Sequence, residues 1–147
     1  MSQNSSLAKA RGKARRFAMQ AIYQWQMTSD DVKGIEQQFL ENEESEQVDL
    51  DYFRELFYGV EENIEVIDQT LVQYTGRAIA SVDQVERAIL RLACYEFIKR
   101  PDVPYRVVLN EAVNLTKKFC AVKSHTFVNA VLDKVAREVR ATEITQL

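Results

Sequence analysis

Apolar residues recur at helical spacing along nearly the whole chain. Between Ala8 and Trp25 the positions Ala14, Phe17, Ala18, Ala21, Ile22 and Trp25 are three or four apart and form one stripe of a helix. A second face of that helix carries Lys9, Lys13, Arg16, Gln20 and Tyr23. The polar stretch before it predicts a flexible lead over residues 1–8. Thr28, Ser29, Asp30 and Asp31 end the helix and offer caps to a short one over about Val32–Asn42, with Ile35, Phe39 and Leu40 inward. The longest register follows: Phe53, Leu56, Phe57, Val60, Ile64, Ile67, Leu71 and Tyr74 predict a helical hairpin or one long kinked helix. Gly59, which costs about 1 kcal/mol relative to Ala inside a helix, and Asn63 place a break between them. Gly76 suits the residue after a helix end.

Ser81 and Gln84 match a capping box, opening a helix with Val85, Ala88, Ile89, Leu92, Ala93 and Tyr95 inside. Lys99 and Arg100 suit its negative end, and Pro101 forbids continuation. Pro104 suits the first position of the next helix, in which Val108, Ala112, Leu115 and Phe119 point inward. The last helix runs from Ser124 to about Arg140 with Val128, Val131, Leu132, Val135 and Val139 inward, and the tail 141–147 is expected to fray. No period-two run is bounded by turn residues. These patterns predict an all-α, single-domain bundle of six to seven helices over residues 9–140, with short links favouring antiparallel neighbours.

A hydrophobic fraction of 46% in 147 residues is enough for one packed core and argues against disorder. The net charge of −3 conceals a segregation: residues 1–29 carry +5, residues 30–68 carry −12 and residues 69–147 carry +4. An acidic total therefore does not exclude a nucleic-acid partner, because a local basic field recruits phosphate. Cys94 and Cys120 lack metal or redox spacing and are expected to be reduced thiols of a cytoplasmic protein. No apolar run approaches the ~18 residues of a membrane span.

Phe119–Val131, FCAVKSHTFVNAV, joins the last two long helices through a loop where cations and rings meet. Lys117, Lys118 and Lys123 with Phe119 and Phe127 suit single-stranded nucleic acid, whose phosphates attract cations and whose unstacked bases stack on rings. The alternative is that both phenylalanines are core and the lysines solvated. The same two readings stand for the basic face of the first helix. The run Glu41, Glu43, Glu44 and Glu46 reads as a hydrated loop rather than a metal site. His125 beside Ser124 does not make a nucleophile pair, since adjacent residues at a helix start point apart and no nearby carboxylate orients the ring. No phosphate-binding glycine loop, zinc motif or nucleophile elbow is present. No catalytic residue, metal or cofactor is expected.

Four separated stretches, ARRFAMQAIYQWQ (Ala14–Gln26), VERAILRLACYEF (Val85–Phe97), RPDVPYRVVLNEAVNL (Arg100–Leu115) and SHTFVNAVLDK (Ser124–Lys134), resemble the bacterial NusB transcription antitermination factors, in order and over essentially the whole chain after Ala8. The resemblance implies two helical subbundles and a non-enzymatic role. It also implies binding of the boxA element of nascent ribosomal RNA transcripts together with the ribosomal protein NusE, in a complex with NusA, NusG and RNA polymerase. Carried onto this chain, it implies RNA contacts at Arg11, Lys13, Arg15, Arg16 and Tyr23 of the first helix, at Tyr105 and Arg106 after the DVPY motif, and at Lys118, Phe119, Lys123, Ser124 and Phe127. Asn129 suits a base edge or a neighbouring helix. Glu86, and more weakly Arg91, are the candidates for the protein partner.

Departures from the family pattern are Gly12 within the arginine run, Lys123 where an acid is common, and Cys120 and Ala130 where glycine is common. Two alternatives remain beside this expectation. One is the helical RNA-targeting domain of an rRNA methyltransferase, which would require a following catalytic domain with a cofactor loop. The other is a structural adaptor whose basic helix is incidental. The free protein is compatible with a monomer or a homodimer.

Overall fold

The computed structural model describes residues 3–146. Among these the chain forms eight α-helices and no strand: α1 Gln3–Thr28, α2 Val32–Leu40, α3 Leu50–Glu62, α4 Ile64–Thr75, α5 Gln84–Lys99, α6 Tyr105–Phe119, α7 Ser124–Val139 and α8 Ala141–Thr145. Two 3-10 turns, Glu43–Gln47 and Ile79–Ser81, lie in the links. The all-helical expectation holds. The count exceeds six or seven because residues 50–75 divide in two and the C-terminal tail adds a short helix.

Most breaks fall where local chemistry demands them. Asn63 ends α3 and starts α4, and its side-chain amide donates to the Gly59 carbonyl at 2.8 Å, satisfying an acceptor the break would otherwise free. Gly76 closes α4 with φ 72°, the left-handed conformation that costs glycine least. Other boundaries differ from expectation. The backbone is helical from Gln3, five residues before Ala8, since no glycine or proline interrupts that stretch. Asp83, not Ser81, caps α5, its carboxylate accepting from the amides of Val85 and Glu86 at 3.1 and 3.2 Å. Aspartate is a strong cap, and its placement leaves Ser81 in the preceding 3-10 turn. Pro104 caps α6 rather than opening it. The tail expected to fray forms α8, where Glu143 accepts the free amide of Tyr105 at 2.9 Å and a guanidinium proton of Arg140 at 2.6 Å.

The helices group as α1–α3 and α4–α7, and α5 packs against both groups. Its two-sided burial explains why residues 88–97, apart from Arg91, are buried, including Leu90, Cys94, Glu96 and Phe97, which lie off the expected stripe. Glu96 is 1% exposed. It holds Arg15 of α1 through three hydrogen bonds of 2.9–3.1 Å and accepts from the Tyr52 hydroxyl of α3 at 2.5 Å. Burial alone would lower the Arg15 pKa, but hydrogen bonding and attraction to Glu96 outweigh it and the net shift is upward. Burial raises the Tyr52 phenol well above its ordinary range, with Glu96 adding to it, so the phenol keeps the proton it donates. At the same end of that helix Arg140 donates to the carbonyls of Glu96, Phe97, Arg100 and Val103 at 2.8–3.2 Å. One buried guanidinium thus satisfies acceptors that the last turn of α5 and its exit leave open.

Gly59 is a contact glycine rather than a weak point. A Cβ there would stand 2.3 Å from the Tyr95 ring, so α3 approaches α5 more closely than any side chain allows. Gly59→Ala should lower the midpoint of urea unfolding, the overpacking of about 1–3 kcal/mol exceeding the gain in helix propensity. Glu96→Ala, which leaves the buried Arg15 with only the more distant Glu111 at 3.8 Å as a counter-charge, should cost about 3–5 kcal/mol. Replacing the cluster together, as Arg15→Met, Tyr52→Phe and Glu96→Leu, should cost much less in the same assay.

Candidate nucleic-acid interface

The contacts between α1 and α6 set these two helices side by side and running in the same direction. Leu7, Ala8 and Arg11 face Val103, Pro104 and Val107; Gly12, Lys13 and Arg16 face Glu111, Asn114 and Lys118; Met19, Gln20 and Tyr23 face Phe119. Three hollows follow one another along this seam. At 1.5 Å per residue, Leu7 to Tyr23 spans about 24 Å.

The first hollow is mostly apolar, with the Arg11 guanidinium on its wall. Arg11 lies over the Tyr52 ring at 4.5 Å and faces Asp49 at 3.7 Å. The middle hollow, about 130 Å³, carries the cations Lys13, Arg16 and Lys118. Gly12 lines it, and a Cβ there would point at the Glu111 carboxylate from 3.9 Å, so the gap in the arginine run contributes open space to this hollow. The third hollow, about 180 Å³, is lined by Met19, Gln20, Tyr23, Val85 and Phe119. Tyr23 is 36% and Phe119 39% exposed, so Phe119 is not the core residue that its register suggests. It is the last residue of α6, where the helix leaves the core. Cations therefore lead along the seam into open rings.

The residues expected to touch RNA divide accordingly. Arg11, Lys13, Arg16, Tyr23, Lys118 and Phe119 meet in the seam. Arg15 lines the first hollow, but its guanidinium is only 4% exposed and is held by Glu96, with Glu111 of α6 at 3.8 Å. Its place on α1, one residue from Arg16, hid this, because helical phase alone does not distinguish a phosphate ligand from a buried ion pair. Tyr105 and Arg106 lie at the start of α6, with Arg106 donating to the Tyr105 hydroxyl at 3.2 Å, and line none of the three hollows. Ser124 is buried at the start of α7. Phe127 is half-buried, with the Arg77 guanidinium 4.5 Å above its ring, so that face is not open to a base. Lys123 and Asn129 are exposed outside the hollows. Gln20, which the sequence places on the basic face of α1, lines the seam, as does Asn114, which was not singled out; its spacing from Lys118 is the signal that could have found it.

Glu86 stays at the surface beside the Asp83 cap, near Cys120, whose thiol is raised to about 11 by burial and by the Glu86 and Asp83 carboxylates. Burial raises the Cys94 thiol to about 12. Neither is a ready nucleophile at neutral pH. Arg91, expected to face a partner, instead ties α5 to α4 through two hydrogen bonds to Asp68, at 2.8 and 3.0 Å, and to α1 through Gln26 at 3.1 Å. Among the described residues no group of three His, Cys, Asp or Glu side chains is placed to hold a metal, and no helix is long and apolar enough to cross a membrane.

The sequence and fold have close counterparts. The transcription antitermination protein NusB of Saccharophagus degradans is 51% identical over 138 residues, covering 93% of this chain and 92% of that protein. The protein of the same name from Pectobacterium carotovorum is 50% identical over 131 residues, covering 89% and 94%. Among solved structures, T. maritima NusB superposes with a TM-score of 0.81 at 27% identity, covering 93% of this chain and 97% of that one. A chain in a crystal structure of the antitermination factors NusB and NusE in complex with dsRNA gives 0.74 at 25% identity, covering 86% and 96%. These relatives are named as transcription factors, not as enzymes. The model of the NusB family matches residues 12–137, and the chain belongs to that family.

Proposed function

We propose that this protein is a cytoplasmic transcription antitermination factor that binds the boxA element of nascent ribosomal RNA transcripts along the α1–α6 seam. It acts together with NusE, in a complex with NusA, NusG and RNA polymerase. The observation that carries the reading is the seam itself, which joins Lys13 and Arg16 to Lys118 and continues into the open rings of Tyr23 and Phe119. A solved relative that holds NusE and RNA at once supports it. Phosphate contacts from the cations position the strand, while Tyr23 and Phe119 stack bases and Gln20 and Asn114 offer amides to base edges. Lys123, exposed beyond the end of α6, adds attraction to the same strand. Glu86 and Asp83, at the start of α5, are the acidic contacts proposed for a basic ribosomal protein. Their effect falls more on encounter rate and orientation than on final affinity.

Fluorescence anisotropy with a boxA oligonucleotide and a scrambled one, with and without NusE, tests this reading. BoxA should bind more tightly than the scramble, and NusE should tighten it further. Lys118→Glu should weaken both RNAs and make the salt dependence shallower by about one unit of slope. Equal binding of both RNAs, unaffected by NusE and by Lys118→Glu, would leave the family fold without this activity.

A further inference from the structure

Two of the cations that the RNA reading assigns to phosphate are already engaged. Lys13 donates to the Gln47 amide oxygen, and Arg16 donates to the Glu44 carboxylate at 2.6 Å. Both partners lie in the 3-10 turn Glu43–Gln47, which presents Glu43, Glu44 and Glu46 within five residues and holds no buried residue. The turn is anchored beside itself rather than through itself. Asn42 caps its start by accepting the Glu44 amide at 2.8 Å, Val48 is buried after its end, and the Asp49 amide donates to the Ala10 carbonyl at 3.1 Å. Between these anchors the turn meets α1 through exposed polar side chains. Arg16, by hydrogen bonding and then by charge, holds the Glu44 carboxyl below its ordinary pKa, so it stays ionised against the helix. Exposed contacts of this kind exchange at little cost.

We propose that Glu43–Gln47 is an intramolecular stand-in for RNA phosphate, occupying Lys13 and Arg16 in the free protein and leaving them when a strand enters the seam. The inference rests on the RNA reading of the seam. A strand must exchange with Glu44 rather than meet a free guanidinium, so affinity is reduced by the fraction of molecules in which the turn is seated. The exchange also changes the salt dependence. Each phosphate contact ordinarily releases counterions from the RNA, but the freed Glu44 carboxylate gathers cations again, so the native slope is shallower than the number of phosphate contacts implies.

The test is boxA anisotropy across a salt series with the full chain and four variants. Glu44→Gln should tighten binding about threefold to fivefold, the scale of one exposed ion pair, and steepen the salt slope. Glu43→Gln changes the net charge equally but has no ion pair among the described residues, so it should tighten binding distinctly less and leave the slope unchanged. Arg16→Gln should weaken binding, and Arg16→Gln with Glu44→Gln should lose the gain seen with Glu44→Gln alone. Equal effects of Glu43→Gln and Glu44→Gln, or a gain that persists without Arg16, would overturn the masking and leave the RNA reading intact. Full affinity in Arg16→Gln, or no binding by the native protein, would overturn the masking together with that part of the RNA reading.

Discussion

A carboxylate buried in a helical bundle loses several kcal/mol of hydration that its surroundings must replace. Glu96 meets that demand by drawing Arg15 from α1 and Tyr52 from α3 onto α5. Tyr52 is in turn flanked by guanidiniums, with Arg11 at 4.5 Å and Arg100 at 5.0 Å from its ring centre. Arg140 closes the same end of α5 by donating to four carbonyls across the turn into α6. The rotation of α1 and the entry into α6 are therefore set by one polar cluster. With both fixed, Gly12, Lys13 and Arg16 come to face Glu111, Asn114 and Lys118. Arg15 is committed to Glu96 at the floor of the seam, which leaves Lys13 and Arg16 to face α6 and the Glu43–Gln47 turn.

Much of the fold was legible because apolar spacing reports burial directly. The stripes of α1, α3, α4, α6 and α7 are the buried positions with few exceptions, and Gly76 ends α4 where its φ of 72° requires glycine. What spacing could not reveal were features created by long-range polar contact. Residues 141–147 have too little apolar content to predict a helix, yet α8 forms because Glu143 and Arg140 meet partners about 40 residues away in sequence. Gly59 read as a helix defect because its reason, the Tyr95 ring, belongs to another helix. The two-sided burial of α5 was hidden for the same cause, as Glu96 looks like any solvent-facing acid until Arg15 is placed against it.

The candidate site was legible in its residue types but not in their grouping. The arginine-rich face of α1 and the Lys118–Phe119 end of α6 were both evident, and their parallel union along one groove was not, because they are about a hundred residues apart. The acidic stretch read as a hydrated loop, and it is exposed; its pairing with Lys13 and Arg16 emerges only when it is folded onto α1. Arg91 and Phe127 show the reverse case. Both have the chemistry of a contact residue, and both are occupied, by Asp68 and Arg77 respectively.

The measurement that bears most directly on this account is an NMR titration of isotope-labelled protein with boxA RNA. The account expects the largest amide shift changes along residues 11–23 of α1 and 111–120 of α6, with a matching response in residues 43–47 as the acidic turn gives up its cations. Changes concentrated on α2, α4 or the Arg91 side of α5, with α1 and α6 undisturbed, would contradict it.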